Sequence, residues 1–157
     1  MLRLSVRAAA VIAAIVAVHF VCVVPYRGNL ALREVSRRSE RAQDSDPQAA
    51  AILARQNLEQ LDGVLRARRL DPAWYMLYAA NCSMMGRLPA AVDAYTRALL
   101  IDERPELYVS RGMALLHLGR ADDAVADLAK AARFDPAVLG RLDGELRARV
   151  AAAAGLP

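Results

Sequence analysis

Apolar residues fall into two regimes along the chain. Between residues 8 and 24 the sequence reads AAAVIAAIVAVHFVCVV, with no charged side chain. Further on, apolar positions recur three and four apart, the spacing of a helix with one buried face, and glycine and proline interrupt the pattern at regular places. Residues 73–85 carry Tyr75, Tyr78, Ala79 and Cys82 on one face, and Gly86 comes next. Residues 89–101 carry Ala91, Val92, Tyr95, Ala98 and Leu99. The same sequence of events repeats as a helix over 106–118, Gly119, and a helix over 122–134. Two flanking helices are predicted as well. One runs from Pro47 to about Arg69, with Ala51, Leu58, Leu61 and Leu65 on its apolar face. The other runs from Ala137 to about Ala153, with Leu139, Leu142, Leu146 and Val150 in one stripe. Asp46-Pro47, Asp71-Pro72 and Asp135-Pro136 each set a capping carboxylate before a proline suited to a first helical turn. The pattern predicts an all-α protein.

The two central units superpose on a shift of 33 residues: Pro72 meets Pro105, Tyr75 meets Tyr108, Ala79 meets Gly112, and Gly86-Arg87 meets Gly119-Arg120. Ala91, Ala98 and Asp102 meet Ala124, Ala131 and Asp135. A fixed period in this range signals a repeat architecture. Alanine and glycine at the shared positions let paired helix backbones approach closely. The unit resembles the tetratricopeptide repeat. The second copy carries the pattern through Tyr108, Gly112, Leu115, Gly119, Ala124, Leu128, Ala131 and Pro136. The first carries it through Tyr75, Ala79, Gly86, Ala91, Tyr95 and Ala98. It departs from the family at Ala79, where the family has glycine, and at Glu103, where it has proline, and Arg111 of the second copy replaces the usual leucine. The resemblance implies a short helical-hairpin solenoid. Two repeats are too few to stand alone, so the flanking helices are expected to cap them.

The apolar segment shifts the picture toward a membrane. Its 17 uncharged residues span about 26 Å as a helix at ~1.5 Å per residue, with Arg3 and Arg7 before it and Tyr26-Arg27 after it. Ile15-Val16-Ala17 is a poor cleavage site, and Val21 precedes Cys22 where a lipoprotein signal needs a small residue. An uncleaved single-pass anchor over residues 8–26 is expected, in the inner membrane of a bacterium. Charge counting and anchor type oppose each other on orientation. Five arginines come closely after the segment, yet a short basic N-terminus before an apolar helix suits export of the downstream domain. The expectation favours the exported side for the soluble domain. The anticipated plan is a basic N-terminus (1–7), the anchor (8–26), and an Arg-rich stretch (27–46) that is either a stalk or a helical continuation of the anchor. Next come a capping helix or degenerate half repeat (47–71), repeat 1 (72–104), repeat 2 (105–136), and a C-terminal capping helix and tail (137–157).

Charge and chemistry narrow the function. The net charge is +4, and its excess lies in residues 1–41, where seven arginines face two glutamates. The repeats are nearly neutral, which argues against a nucleic-acid face. His19 within the apolar segment and His117 on a repeat helix are too few to assemble a metal set. Cys22 and Cys82 read as small buried hydrophobes. There is no phosphate loop, metal spacing or nucleophile–base motif, so no catalytic, cofactor or metal residue is assigned and the protein is not expected to be an enzyme. What remains is the hairpin face. In tetratricopeptide proteins the first helices line a groove for peptides, and here those positions are Met76, Ala80, Ser83, Met84, Glu106, Val109, Met113, Leu116 and His117. They lack the basic and asparagine residues that grip a terminal carboxylate. The expected role is a membrane-anchored scaffold whose groove takes a helix or peptide of a membrane or envelope complex, unless the chain's own 47–69 helix or the anchor extension fills it. The alternative is a self-assembling oligomer or filament built by solenoid stacking.

Overall fold

A computed structural model describes residues 14–17, 24–65 and 71–156. From residue 24 on, the described residues form seven α-helices and one 3-10 helix: α1 (Val24–Gln43), α2 (Pro47–Leu65), α3 (Pro72–Met84), α4 (Leu88–Ile101), α5 (Pro105–His117), α6 (Ala121–Phe134), the 3-10 helix Pro136–Arg141, and α7 (Gly144–Ala154). No strand occurs among the described residues. Each α-helix packs on the next, and α1 also touches α3 and α3 touches α5. The chain therefore stacks as successive antiparallel hairpins, with α1, α3 and α5 side by side.

The two central hairpins close by the same device. Gly86 and Gly119 adopt φ of 69° and 75°, a left-handed conformation open to glycine. The Arg87 N–H donates to the Cys82 carbonyl at 2.8 Å and the Gly86 N–H to that of Ser83 at 3.0 Å. The Arg120 N–H donates to the Leu115 carbonyl and the Gly119 N–H to that of Leu116, both at 2.9 Å. This paired bonding ends a helix and satisfies its last carbonyls. Between α5 and α6 the backbones are close: a Cβ on Gly112 would stand 3.0 Å from Leu128 Cγ and 3.3 Å from the Ala124 carbonyl. At the matching place in the first hairpin Ala79 is fully buried, and Tyr95 takes the position of Leu128.

One core runs through α1 to α4. It joins Leu32 and Val35 of α1, Leu58 and Leu61 of α2, Trp74, Tyr75 and Cys82 of α3, and Tyr95 of α4, and it reaches Leu107 of α5. A second lies at the C-terminal end, where Leu128, Ala129 and Ala132 of α6 meet Leu142 and Val150. Of the residues expected to pack the repeats, Tyr75, Ala79, Ala91, Tyr95, Ala98, Tyr108, Gly112, Ala124 and Ala131 are buried. Pro136 is exposed and opens the 3-10 helix.

Of the two forms expected for residues 27–46, a stalk or a helix, residues 27–43 take the helical one. They belong to α1, which buries Leu32, Val35, Ser39 and Ala42. With α2 this makes a complete third hairpin ahead of the two repeats, where a lone cap or half repeat was anticipated. A polar cluster fastens it: the Asn57 Nδ2 donates to Asn81 Oδ1 at 2.9 Å, and the Asn81 Nδ2 donates to Ser39 Oγ at 3.0 Å and to the Leu77 carbonyl at 2.7 Å. The Trp74 indole N–H donates to the Leu61 carbonyl at 2.9 Å, tying α3 to α2. At the other end, the expected single helix over 137–153 is broken. The chain extends at Leu142 (ψ 150°), and Asp143 caps a new helix by accepting from the Leu146 N–H at 2.9 Å. A strong capping residue before Gly144 overrides the apolar period there.

The expected membrane segment falls mainly on residues outside the described ones. Within it, residues 14–17 are helical and Ile15 and Val16 are exposed. Among the described residues no helix is long and apolar enough to cross a membrane. His19 and Cys22 lie outside the described residues.

Candidate functional site

The nine positions expected to line a groove divide into two groups. On α3, Met76, Ala80, Ser83 and Met84 are half-buried, and Met76 packs on the main core. On α5 the matching positions behave differently. Glu106, Met113 and His117 are exposed, whereas Val109 and Leu116 pack against the C-terminal cluster of Leu128, Leu142 and Val150. The end of the chain thus covers part of the face that the sequence pattern leaves open. Two shallow clefts remain beside it. One, of about 230 Å³, lies between Leu116 and the Asp143–Arg149 stretch of α7. The other, of about 220 Å³, is lined by Pro105, Glu106, Val109, Ser110, Asp135, Val138 and Arg141. The α2 helix packs with α1, α3 and the core, and it is α1 that lies along α3 on the first-helix side.

The inner polar chemistry concentrates on Arg111, the residue out of line with the repeat pattern. Its guanidinium donates twice to the Asp127 carboxylate of α6, at 2.7 Å from both Nε and Nη2, and from Nη1 to Thr96 Oγ1 of α4 at 2.9 Å. Arg111 also lies 5.9 Å from the Tyr108 ring centre, and Lys130 Nζ lies 5.2 Å from it. The Tyr108 hydroxyl donates to Glu103, and this bond, with burial, pushes its pKa up to about 12. The hydrogen-bonded Asp127 carboxylate pushes the Arg111 pKa up. In the first repeat the positions of Arg111 and Asp127 are held by Tyr78 and Ala94. The second repeat therefore has an ion pair where the first has a tyrosine and an alanine, and Arg111 links three helices.

A further cleft was not foreseen. It measures about 260 Å³ and opens between α2, α3 and α4, lined by Asp62, Trp74, Tyr75, Tyr78, Asp93 and Arg97 among others. Three aromatic rings near two carboxylates suggest a cage for a cation, but the rings already use their faces on one another. Trp74 stacks on Tyr78 at 4.9 Å and meets Tyr75 edge-on at 5.0 Å, and Trp74 is only 2% exposed. Aromatic residues at positions 74, 75 and 78 are visible in the sequence as a cluster, but their mutual stacking is not.

Comparison with protein-family models, with curated proteins and with solved structures returns no match.

Proposed function

We propose that this chain is a membrane-anchored scaffold of the tetratricopeptide-repeat type, without catalytic activity, that holds a protein partner of a membrane or envelope complex. The observation that carries the proposal is the matched pair of hairpins, closed by the same glycine turns one 33-residue period apart. Repeats of this kind build binding surfaces from their first helices. The surface left for a partner centres on the exposed Met113, with Met84 half-buried on the neighbouring α3. An unbranched thioether side chain adapts its shape to an apolar helix or peptide. The uncharged N-terminal segment supplies the anchor in this proposal, in the inner membrane of a bacterium with the hairpins on the exported side. Self-assembly by stacking at the C-terminal end receives less support, because α7 already covers the apolar face of α6 there.

Affinity purification of the full chain from native membranes in mild detergent, with mass spectrometry of the retained proteins, identifies the partner. Met84→Arg combined with Met113→Arg is expected to abolish that retention. Unchanged retention by the double variant would overturn the proposal.

A further inference from the structure

The exposed apolar side chains are distributed unevenly over the stack. In a row of antiparallel hairpins, α1, α3 and α5 begin at the end where α2, α4 and α6 finish. At that end Leu100 is 82% exposed and Phe134 59% exposed, and Leu30 and Ile101 are exposed at the same end. The opposite end, formed by the glycine turns, presents Gly86, Arg87, Gly119 and Arg120. Elsewhere among the described residues of α1–α7, the large exposed hydrophobic residues are Ile52 on the flank of α2 and Met113 midway along α5. A soluble domain gains nothing from a large aromatic and a leucine placed in water at one end.

The same end is where α1 begins, at Val24, the last residue of the uncharged segment. The buried contact between Ser39 and Asn81 fixes the level of α1 against α3. Ser39 stands fifteen residues beyond Val24 and Asn81 nine beyond Pro72, so Leu30 is level with Pro72. If the membrane span ends at Tyr26, that level lies only four residues farther, about 6 Å along a helix. The headgroup layer is itself roughly 5–7 Å thick on each side. Charge at this end is mixed: Asp102 pairs with Arg104 at 2.7 Å, Glu103 accepts from Tyr108 and Asp135 from the Ala137 N–H at 3.0 Å, while Asp62 and Glu106 are exposed. Among the described residues Arg133 and Arg141 form no ion pair, and both are exposed, which suits anionic headgroups.

We infer that the helix-start end of the stack sits on the bilayer, with Leu100, Ile101 and Phe134 inserted among the lipid headgroups. The occupant of the apolar end is the lipid surface, and the inference rests on the proposed anchor. Seating fixes the axis of the hairpins across the membrane plane and turns the glycine-turn end away from it.

The test uses the full chain carrying Cys22→Ser, reconstituted in vesicles of phosphatidylethanolamine and phosphatidylglycerol. Nitroxide labels are placed one at a time through Leu100→Cys, Phe134→Cys, Arg87→Cys and Arg120→Cys, all at exposed positions, with helical content checked by circular dichroism. Flotation of the vesicles reports the anchor separately. Labels at 100 and 134 are expected to collide with membrane-dissolved oxygen and to be shielded from a water-soluble nickel complex, while those at 87 and 120 show the reverse. Floating protein with all four labels open to nickel overturns the seating and leaves the anchor standing. Labels at 100 and 134 shielded from both reagents and broadened by a second spin place another copy there and also overturn it. Protein that fails to float removes the anchor, and the seating with it.

Discussion

Arg111 shows how one residue out of pattern is accommodated by its surroundings. A guanidinium on the inner side of a hairpin is tolerable only where its donors are met, and Asp127 and Thr96 meet three of them. Removing one member of such a pair leaves the other charge poorly compensated. Asp127→Ala is therefore expected to cost about 3 kcal/mol in urea unfolding. The first repeat supplies the compensating change, since Tyr78 and Ala94 occupy the equivalent positions. Combining Arg111→Tyr with Asp127→Ala is expected to recover most of the loss. A double variant as unstable as Asp127→Ala alone would show that the two hairpins are not packed alike. Tyr108 makes a second prediction at this scale. Its pKa stands at about 12 in the fold, above the usual 10, chiefly through the hydrogen bond to Glu103, and burial shifts Tyr78 and Tyr95 the same way. The folded state thus holds these protons more tightly than the unfolded one. Their contribution is complete below pH 10 and falls as pH rises from 10 toward 12. Denaturation midpoints measured through that range should decline, and Tyr108→Phe should flatten part of the decline.

Between elements, the decisive contacts are polar and distant in sequence. Asn81 of α3 holds Asn57 of α2 and Ser39 of α1 in one buried cluster, with the Asn57 Oδ1 left without a partner. The second repeat has Ala114 at the position of Asn81. Asn81→Ala leaves the Asn57 amide and the Ser39 hydroxyl only their mutual 3.2 Å hydrogen bond, at about 1–3 kcal/mol. Hydrogen exchange is expected to quicken in α1 and α2 and to stay unchanged in α5 and α6. Uniform quickening would mean that the stack opens as one unit and that the cluster has no local role. This cluster also marks where the sequence stops being readable. The 33-residue period is carried by glycine, proline and small residues, whose effect is local, so the central hairpins and their ends are legible to within a residue. Among the described side chains of α1, the buried apolar residues are Leu32, Val35 and Ala42, diluted among arginines, and the fourth buried residue is a serine. No periodicity separates that from a solvated helix, since Ser39 finds its partner 42 residues away. Two of the expected groove positions are partly covered for a related reason. Val109 and Leu116 match the pattern of open first-helix positions, yet the break at Leu142 returns the chain over them, and that break is set by a capping aspartate against an apolar stripe.

For the molecule as a whole, the ends of the stack matter more than its middle. A row of hairpins leaves one apolar face at each end, and it is stable only if something polar on its outer side closes it. At the C-terminal end this is α7. Val150 is fully buried against Leu128, Ala129 and Ala132, while Arg147, Ala148 and Arg149 are exposed. Three contacts pin it: Arg147 donates to the carbonyls of Leu139 at 2.8 Å and Leu142 at 2.9 Å, and Arg149 reaches Asp122 at 3.0 Å. The exposed Arg149 pair contributes little, so burial has to carry the attachment. Each large aliphatic side chain withdrawn from water is worth about 1.5–3 kcal/mol, and Leu142, Leu146 and Val150 all belong to the same cluster. A domain of this size has about 5–15 kcal/mol in hand, so the cap represents a large share of it. Ending the chain after Arg141 is expected to lower the urea midpoint sharply and to produce concentration-dependent association in mild detergent, as α6 faces seek each other. Val150→Asp tests the same cause without shortening the chain, and it should act in the same direction by burying a charge with no partner. A shortened chain that stays monomeric and keeps its midpoint would mean that α7 decorates the stack without closing it, and the uncapped face of α6 would then be available for assembly between copies.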